Sequence, residues 1–131
     1  MLRVSVVIFL AGFCFLTNNC SPQITPAETR VLEALEELQR GTEANIEYRS
    51  FVQLLEKANK EINDLRRRNE GSPCFLGSVD KCYSAYEIAR KAWKKMLEEK
   101  NETRKADIEL TLSFSLSFAA LNIQNATNCL K

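Results

Sequence analysis

Apolar residues recur at intervals of three and four positions along most of this chain, which is the period of helices that bury one side. The pattern predicts a first helix over residues 26–40, with Thr25 as its N-cap and Glu28 completing a capping box. Gly41 is predicted to end this helix, and a second helix is predicted over residues 45–69. The apolar stripes of the two helices contain Val31, Leu32, Leu35, Leu38, Tyr48, Phe51, Val52, Leu55, Ala58, Ile62 and Leu65.

A third helix follows a turn in which Gly71, Pro73 and Gly77 interrupt the pattern. Ser78 is the predicted N-cap of this helix, and the polar stretch over residues 98–107 is predicted to link it to the last segment. The inward stripe of the third helix contains Val79, Cys82, Tyr86, Ala89, Trp93 and Met96.

The last segment is ambiguous, because residues 108–118 alternate between apolar and polar types as a half-buried strand does. A lone strand would leave its edges unpaired, whereas three predicted helices need a partner with helical spacing. We therefore predict a helix with two apolar stripes. The first stripe contains Ile108, Leu112, Leu116, Ala119, Ile123 and Ala126, and the second contains Leu110, Phe114, Phe118 and Leu121.

Together these segments predict an all-α fold, an antiparallel bundle of three to four helices that occupies residues 26–131. The position of the last helix is open. At the centre of the bundle, the arrangement that we favour from the pattern, it buries both stripes. At the edge it exposes the second stripe, which then becomes a candidate partner surface.

The first residues predict an export signal. Arg3 precedes an apolar run over residues 4–16, which is shorter than the ~20 residues that span a bilayer. We assign residues 1–20 to a signal peptide and residues 21–25 to a tether. Cys20 stands where a bacterial lipoprotein carries its lipid, although Asn19 departs from the usual lipobox. Lipidation of Cys20 and simple secretion both remain open.

Cysteine usage agrees with an oxidising compartment. Cys14 would leave with the leader; the cysteines available for bridging are then Cys74, Cys82 and Cys129 if Cys20 carries lipid, and Cys20 is a fourth if it does not. In an antiparallel bundle Cys129 lies at the same end of the bundle as Cys74 and Cys82, and Cys82 is on an inward stripe. We therefore prefer a Cys82–Cys129 disulfide, with Cys74–Cys82 and Cys74–Cys129 as alternatives.

Charge and composition argue against several kinds of function. The chain has 18 basic and 17 acidic residues, so it lacks the positive field that gathers nucleic acid. It contains no histidine, the commonest general base and metal ligand. We therefore expect no enzyme activity, no catalytic residues, no metal site, no cofactor and no nucleic-acid partner.

Three short motifs carry a resemblance to known proteins. They are a leucine-rich first helix, Thr42, Ile46, Tyr48 and Phe51 at the following turn, and Ala89, Ala92 and Trp93 in the third helix. In these features the chain resembles a group of small uncharacterised exported proteins of the cyanobacterial type. The resemblance covers about half of the chain. It implies an exported helical fold and transfers no catalytic residues.

These observations favour an exported helical protein of the cell envelope that acts by protein–protein contact or as a structural or accessory lipoprotein. Its expected partner is another envelope protein, and any membrane attachment is through the N-terminal lipid alone. Its expected location is the periplasm or cell surface, with an extracellular location as the alternative. The alternative function is a secreted carrier that holds a small apolar ligand in the bundle core, among Tyr48, Tyr86 and Trp93 and the phenylalanines of the last helix.

Overall fold

A computed structural model describes residues 23–131, which form four α-helices. The helices are α1 (Pro26–Glu43), α2 (Tyr48–Arg67), α3 (Pro73–Glu98) and α4 (Glu102–Cys129). No strand occurs in this part of the chain, so the predicted all-α bundle is confirmed. The ambiguous alternating segment lies inside α4 and is helical. The predicted signal peptide and Cys20 lie outside the residues that the structure describes.

The four helices form a ring in which each helix packs against two others. α1 packs mainly along α2, and α3 packs mainly along α4, while smaller contacts join α1 to α4 and α2 to α3. The backbones of α1 and α3 do not approach each other closely, nor do those of α2 and α4, so these pairs face each other across the ring. The last helix is therefore one side of the ring, and the central position that we favoured from the sequence is wrong.

The core is built from the apolar stripes that periodicity indicates. Fully buried side chains come from every helix, and burying large apolar groups is the main favourable contribution to the stability of such a bundle. The large side chains that are completely enclosed are Tyr86, Phe51, Phe75, Leu35, Leu38, Ile62, Leu65, Val31 and Val79. The interior thus follows the predicted stripes of the first three helices closely.

Helix α1 begins and ends at points set by local hydrogen bonds. At the start of α1, the Thr25 hydroxyl accepts from the amide of Glu28 at 3.1 Å, and the Glu28 carboxylate accepts from the amide of Thr25 at 3.0 Å. The predicted capping box is confirmed. At the end of α1, Asn45 takes a positive φ of 56°, and the Ile46 amide bonds back to the carbonyl of Gly41.

This ending is a Schellman motif, in which a residue with positive φ reverses the chain and satisfies the last carbonyls. Asn69 ends α2 in the same way, with a φ of 52° and a bond from the Glu70 amide to the Leu65 carbonyl. The predicted stop at Gly41 is therefore wrong, because Gly41 is helical and the chain turns at the asparagine four residues later.

The N-cap of helix α3 is Ser72, six residues before Ser78, the N-cap that we predicted from the sequence. The Ser72 hydroxyl accepts from the amide of Phe75 at 3.2 Å, and Pro73 occupies the first turn. Ser78 is therefore inside the helix. Gly77, which we expected to break the chain, is also helical. A proline at the first helical position starts a helix rather than ending one, and this explains the difference.

Two glycines near this junction have opposite conformational roles, and the same substitution is expected to change stability in opposite directions. Gly71 has a φ of +92°, and an added Cβ would lie 3.2 Å from the Leu76 side chain. Gly71→Ala is expected to lower the free energy of unfolding by about 1–2 kcal/mol. At helical Gly77 an added Cβ meets open space, so Gly77→Ala is expected to raise it by about 0.5–1 kcal/mol.

Urea titrations of the two alanine variants and the natural chain would measure both changes. Equal effects of the two substitutions, in either direction, would contradict the described start of α3.

The disulfide joins Cys74 to Cys129, with their Cα atoms 5.7 Å apart. The preferred Cys82–Cys129 pairing is wrong, and Cys82 is a free, buried thiol. The reason is the early start of α3. Cys74 lies in its first turn, level with the last residue of α4, whereas Cys82 lies about 12 Å further along the axis at 1.5 Å per residue.

Ion pairs connect the helices on the surface. Arg30 of α1 bonds to Glu61 and Asp64 of α2, in both cases at 3.3 Å. Arg68 also bonds to Asp64, at 2.9 Å, and this hydrogen bond is the main cause that lowers the pKa of Asp64. Arg66 pairs with Asp80 of α3. The arginine run at the end of α2 is thus engaged with carboxylates of the same chain.

Candidate interaction surface on the last helix

Four large apolar side chains project from one side of α4 into solvent. Leu110, Phe114, Phe118 and Leu121 follow one another at intervals of four, four and three residues, so they share one side of a helix. Their exposed fractions are 60%, 70%, 49% and 50%. We call these four residues the outer face of α4. The face consists of the same residues as the second stripe identified in the sequence.

The opposite side of α4 explains why the outer face is left uncovered. Ala119, Ile123 and Ala126 are buried against the bundle, with Ser115 and Asn122 beside them. Because α4 contacts only α3 and α1, these neighbours cover only the side of α4 that faces the bundle. The outer face has no neighbouring helix within residues 23–131.

Three polar side chains of α4 that are buried or half-buried find hydrogen-bond partners within the helix itself. The hydroxyl of Ser115 donates to the carbonyl of Thr111 at 2.8 Å, and the amide of Asn122 donates to the carbonyl of Phe118 at 2.9 Å. Thr127 donates in the same way to Ile123. These bonds to the carbonyl one turn earlier remove the need for outside polar partners. Helix α4 therefore packs on the bundle without leaving these polar groups unpaired.

An open groove of about 530 Å³ adjoins the outer face where α3 lies beside α4. Phe114 and Phe118 form one wall, and Ala85 and Ile88 of α3 form the other. Ile88 is 52% exposed and extends the apolar surface beyond α4. Ile88 was not among the α3 residues that we singled out from the sequence. Its position as a large apolar residue outside the buried stripe was a signal that could have identified it as surface-exposed.

Charge is absent along this helix from Leu110 to Leu130. Charged groups border the outer face, with Asp80 and Lys81 on the α3 side and Glu36, Arg40 and Glu43 on the α1 side. By length and composition α4 could also cross a bilayer, and it is the one such helix among residues 23–131. A helix that packs in a bundle can satisfy the same criterion.

The aromatic residues proposed as a ligand pocket fill space rather than enclose it. The ring of Trp93 lies 5.7 Å from that of Tyr48 and 5.2 Å from that of Phe51, measured between centroids. Phe51 in turn lies 6.1 Å from Tyr86. The structure thus links Tyr48, Trp93, Phe51 and Tyr86, in that order, through successive ring contacts. It leaves the phenylalanines Phe114 and Phe118 on the outside of α4.

Each of the three cysteines in residues 23–131 is either buried or paired. Burial raises the pKa of the Cys82 thiol to about 12, so the thiol stays protonated at neutral pH. Cys74 and Cys129 are joined in the disulfide. No three acidic or cysteine side chains in residues 23–131 converge as a metal-binding group.

Comparison with known proteins finds no family model, no curated protein and no solved structure that matches the chain.

Proposed function

We propose that this chain is an exported helical protein of the cell envelope that acts by protein–protein contact through the outer face of α4. The observation that carries the proposal is the exposure of Leu110, Phe114, Phe118 and Leu121 in one continuous strip. Monomeric proteins rarely leave several large apolar groups adjacent and uncovered, and such strips mark contact sites.

Rigidity of the surface also supports a contact role. The Cys74–Cys129 disulfide anchors the end of α4 to the start of α3, and Ala119 and Ala126 are fully buried beneath the face. A face on a packed helix is formed before the partner arrives, so binding costs little conformational entropy.

Export rests on the first residues of the sequence. Arg3 followed by the apolar run over residues 4–16 supports a signal peptide, and Cys20 supports a lipid anchor. A mature chain beginning at a lipidated Cys20 would stay at the membrane surface of the periplasm or cell exterior, whereas plain cleavage would release it. The proposed role at α4 is the same in both cases.

The carrier alternative has weaker support. A ligand in the bundle core would need space among Tyr48, Tyr86 and Trp93, but these rings are linked to one another by contacts that include Phe51. The apolar groove beside Phe114 is open to solvent. It therefore suits a side chain of another protein better than a ligand that must be sheltered from water.

A photo-crosslinking amino acid at position 114 would test the proposal in the cells that make the protein. We expect p-benzoyl-phenylalanine in place of Phe114 to form a protein adduct on irradiation. The matched control places the same group at Leu97 of α3, which is 63% exposed and lies on the side of its helix away from Ile88. The control is expected to form little or no adduct.

Two results of this experiment would contradict the proposal. Equal adducts at positions 114 and 97, or none at either, would remove the outer face as a contact site.

The mass of the uncoupled chain from the same cells tests export. A chain that retains residues 1–20 and stays in the cytosolic fraction would contradict that part of the proposal.

A further inference from the structure

We infer that the partner of the outer face is a second copy of the same chain, bound through an antiparallel pairing of the two α4 helices. This inference rests on the proposed function, because it names the protein that the outer face contacts. In the pairing, a two-fold axis crosses α4 between residues 115 and 116. Leu110 of one copy then lies opposite Leu121 of the other, and Phe114 lies opposite Ser117.

The shape of the face favours this pairing. The residues Leu110, Phe114, Ser117 and Leu121 follow at intervals of four, three and four, the spacing of the contact positions of a coiled coil. Ser117 is the small member of the series and is exposed. Under the two-fold axis each Phe114 ring meets a serine instead of another ring. Each of the two Phe114 side chains of the dimer therefore lies opposite a small serine, and the backbone does not have to move to make room for the ring.

Charge also favours a second copy. Identical surfaces repel each other when they carry a net charge at their centre, and no charged residue lies between Leu110 and Leu130. The borders of the face carry both signs, with Asp80 beside Lys81 and Glu36 beside Arg40. A membrane surface is less well matched, because anionic lipids attract faces bordered mainly by lysine and arginine.

The size of the face agrees with a dimer interface. With Ile88, the outer face exposes roughly 500 Å² of apolar surface, near the upper end of what monomers leave uncovered. A stable interface buries about 800 Å² on each partner, of which somewhat more than half is apolar. The polar residues that border the face, such as Ser113 and Gln124, are exposed and supply the remainder.

Sedimentation of the purified full chain over a range of concentrations tests the inference. We expect a monomer–dimer equilibrium with a dissociation constant in the micromolar range or tighter. Phe114→Ser is expected to weaken the dimer at least roughly tenfold, because the same contact is lost twice. Leu97→Ser removes an equally exposed apolar group from another surface and is expected to leave the constant unchanged.

Ser117→Phe separates a specific fit from general stickiness. The substitution adds apolar surface, so non-specific association would tighten. In the proposed pairing the new ring occupies the space of the opposing Phe114 and is expected to weaken the dimer at least roughly tenfold. Circular dichroism of each variant checks that the helices are intact. A tighter dimer in Ser117→Phe would overturn the inference.

The antiparallel register is tested by cysteine pairs in a chain whose Cys14 and Cys20 are replaced by serine. We expect a short bismaleimide to join a Leu110→Cys chain to a Leu121→Cys chain. It should not join two Leu110→Cys chains, whose positions lie about 16 Å apart along the axis. Efficient Leu110→Cys self-coupling would indicate a parallel pair and overturn the register.

Other occupants of the face give distinct results. A chain that stays monomeric, or a dimer that Phe114→Ser leaves unchanged, overturns the second copy as the partner. A monomer that sediments with phosphatidylcholine vesicles, and that no longer does so in Phe114→Ser, assigns the face to a membrane. This result also overturns the second copy as the partner. An adduct at position 114 with a different protein would still support the proposed function, so the two proposals fail separately.

Discussion

Replacing Phe51 by alanine is expected to lower the free energy of unfolding by about 3–5 kcal/mol. Phe51 is completely buried, and its ring contacts those of Tyr86 and Trp93. The substitution removes this burial and leaves a cavity that the surrounding helices cannot close without moving. Domains of this size are stable by about 5–15 kcal/mol, so the loss is a large share of the total. Urea or thermal unfolding followed by circular dichroism would measure it.

The same substitution at Phe114 provides a matched control. Phe114 is 70% exposed, so Phe114→Ala is expected to change the free energy of unfolding of the monomer by less than about 0.5 kcal/mol. The measurement is made at a concentration at which the chain is monomeric. A loss at Phe114 that equals the loss at Phe51 would contradict the assignment of α4 to the side of the ring.

Reducing the Cys74–Cys129 disulfide is expected to lower the free energy of unfolding by about 2–4 kcal/mol. The bridge closes a loop across a sequence separation of 55 residues, so it restricts the unfolded chain strongly. Cys74 is exposed, and a reductant can therefore reach the bond. Urea unfolding with and without dithiothreitol would measure the difference.

Two variants separate this bridge from the pairing that we preferred on sequence grounds. In Cys129→Ser, the reductant is expected to have no further effect, because the bridge is already absent. In Cys82→Ala, the full effect of the reductant is expected to remain, since Cys82 is a free thiol. Loss of the reductant effect in Cys82→Ala would show that Cys82 takes part in the disulfide.

Stability and contact are thus assigned to different residues of one helix bundle. The aromatic cluster around Phe51 and the disulfide at Cys129 hold the helices together, and the outer face of α4 contributes little to folding. This separation makes the proposed function testable, because substitutions at Phe114 or Ser117 can change association while the fold stays intact. An effect on association in a folded variant then reports on the surface itself.

The helices and most of the core were predictable from the sequence. Spacing by three and four residues is a local property, since it reports which side of a single helix is apolar. Val31, Phe51 and Tyr86 are buried as their stripes predict. The capping box of Thr25 and Glu28 was equally readable, because both partners lie within four residues of each other.

Helix boundaries were less predictable, because glycine and asparagine have more than one structural role. Gly41 and Gly77 are both helical, while Asn45 and Asn69 have the positive φ values at which the helices end. The early start of α3 has a similar cause, because Pro73 can begin a helix as well as interrupt one. It also changed the disulfide, because it placed Cys74 instead of Cys82 level with the end of α4.

The residues of the outer face were identified by the sequence itself, which showed that Leu110, Phe114, Phe118 and Leu121 share a side of the last helix. Whether that side is covered was decided only by the tertiary structure. Coverage depends on how many helices surround α4 and in what order, which are long-range properties that no local spacing contains. The ring places α4 between α3 and α1 alone. Two neighbours can bury one side of a helix, and so the second apolar side remains in solvent.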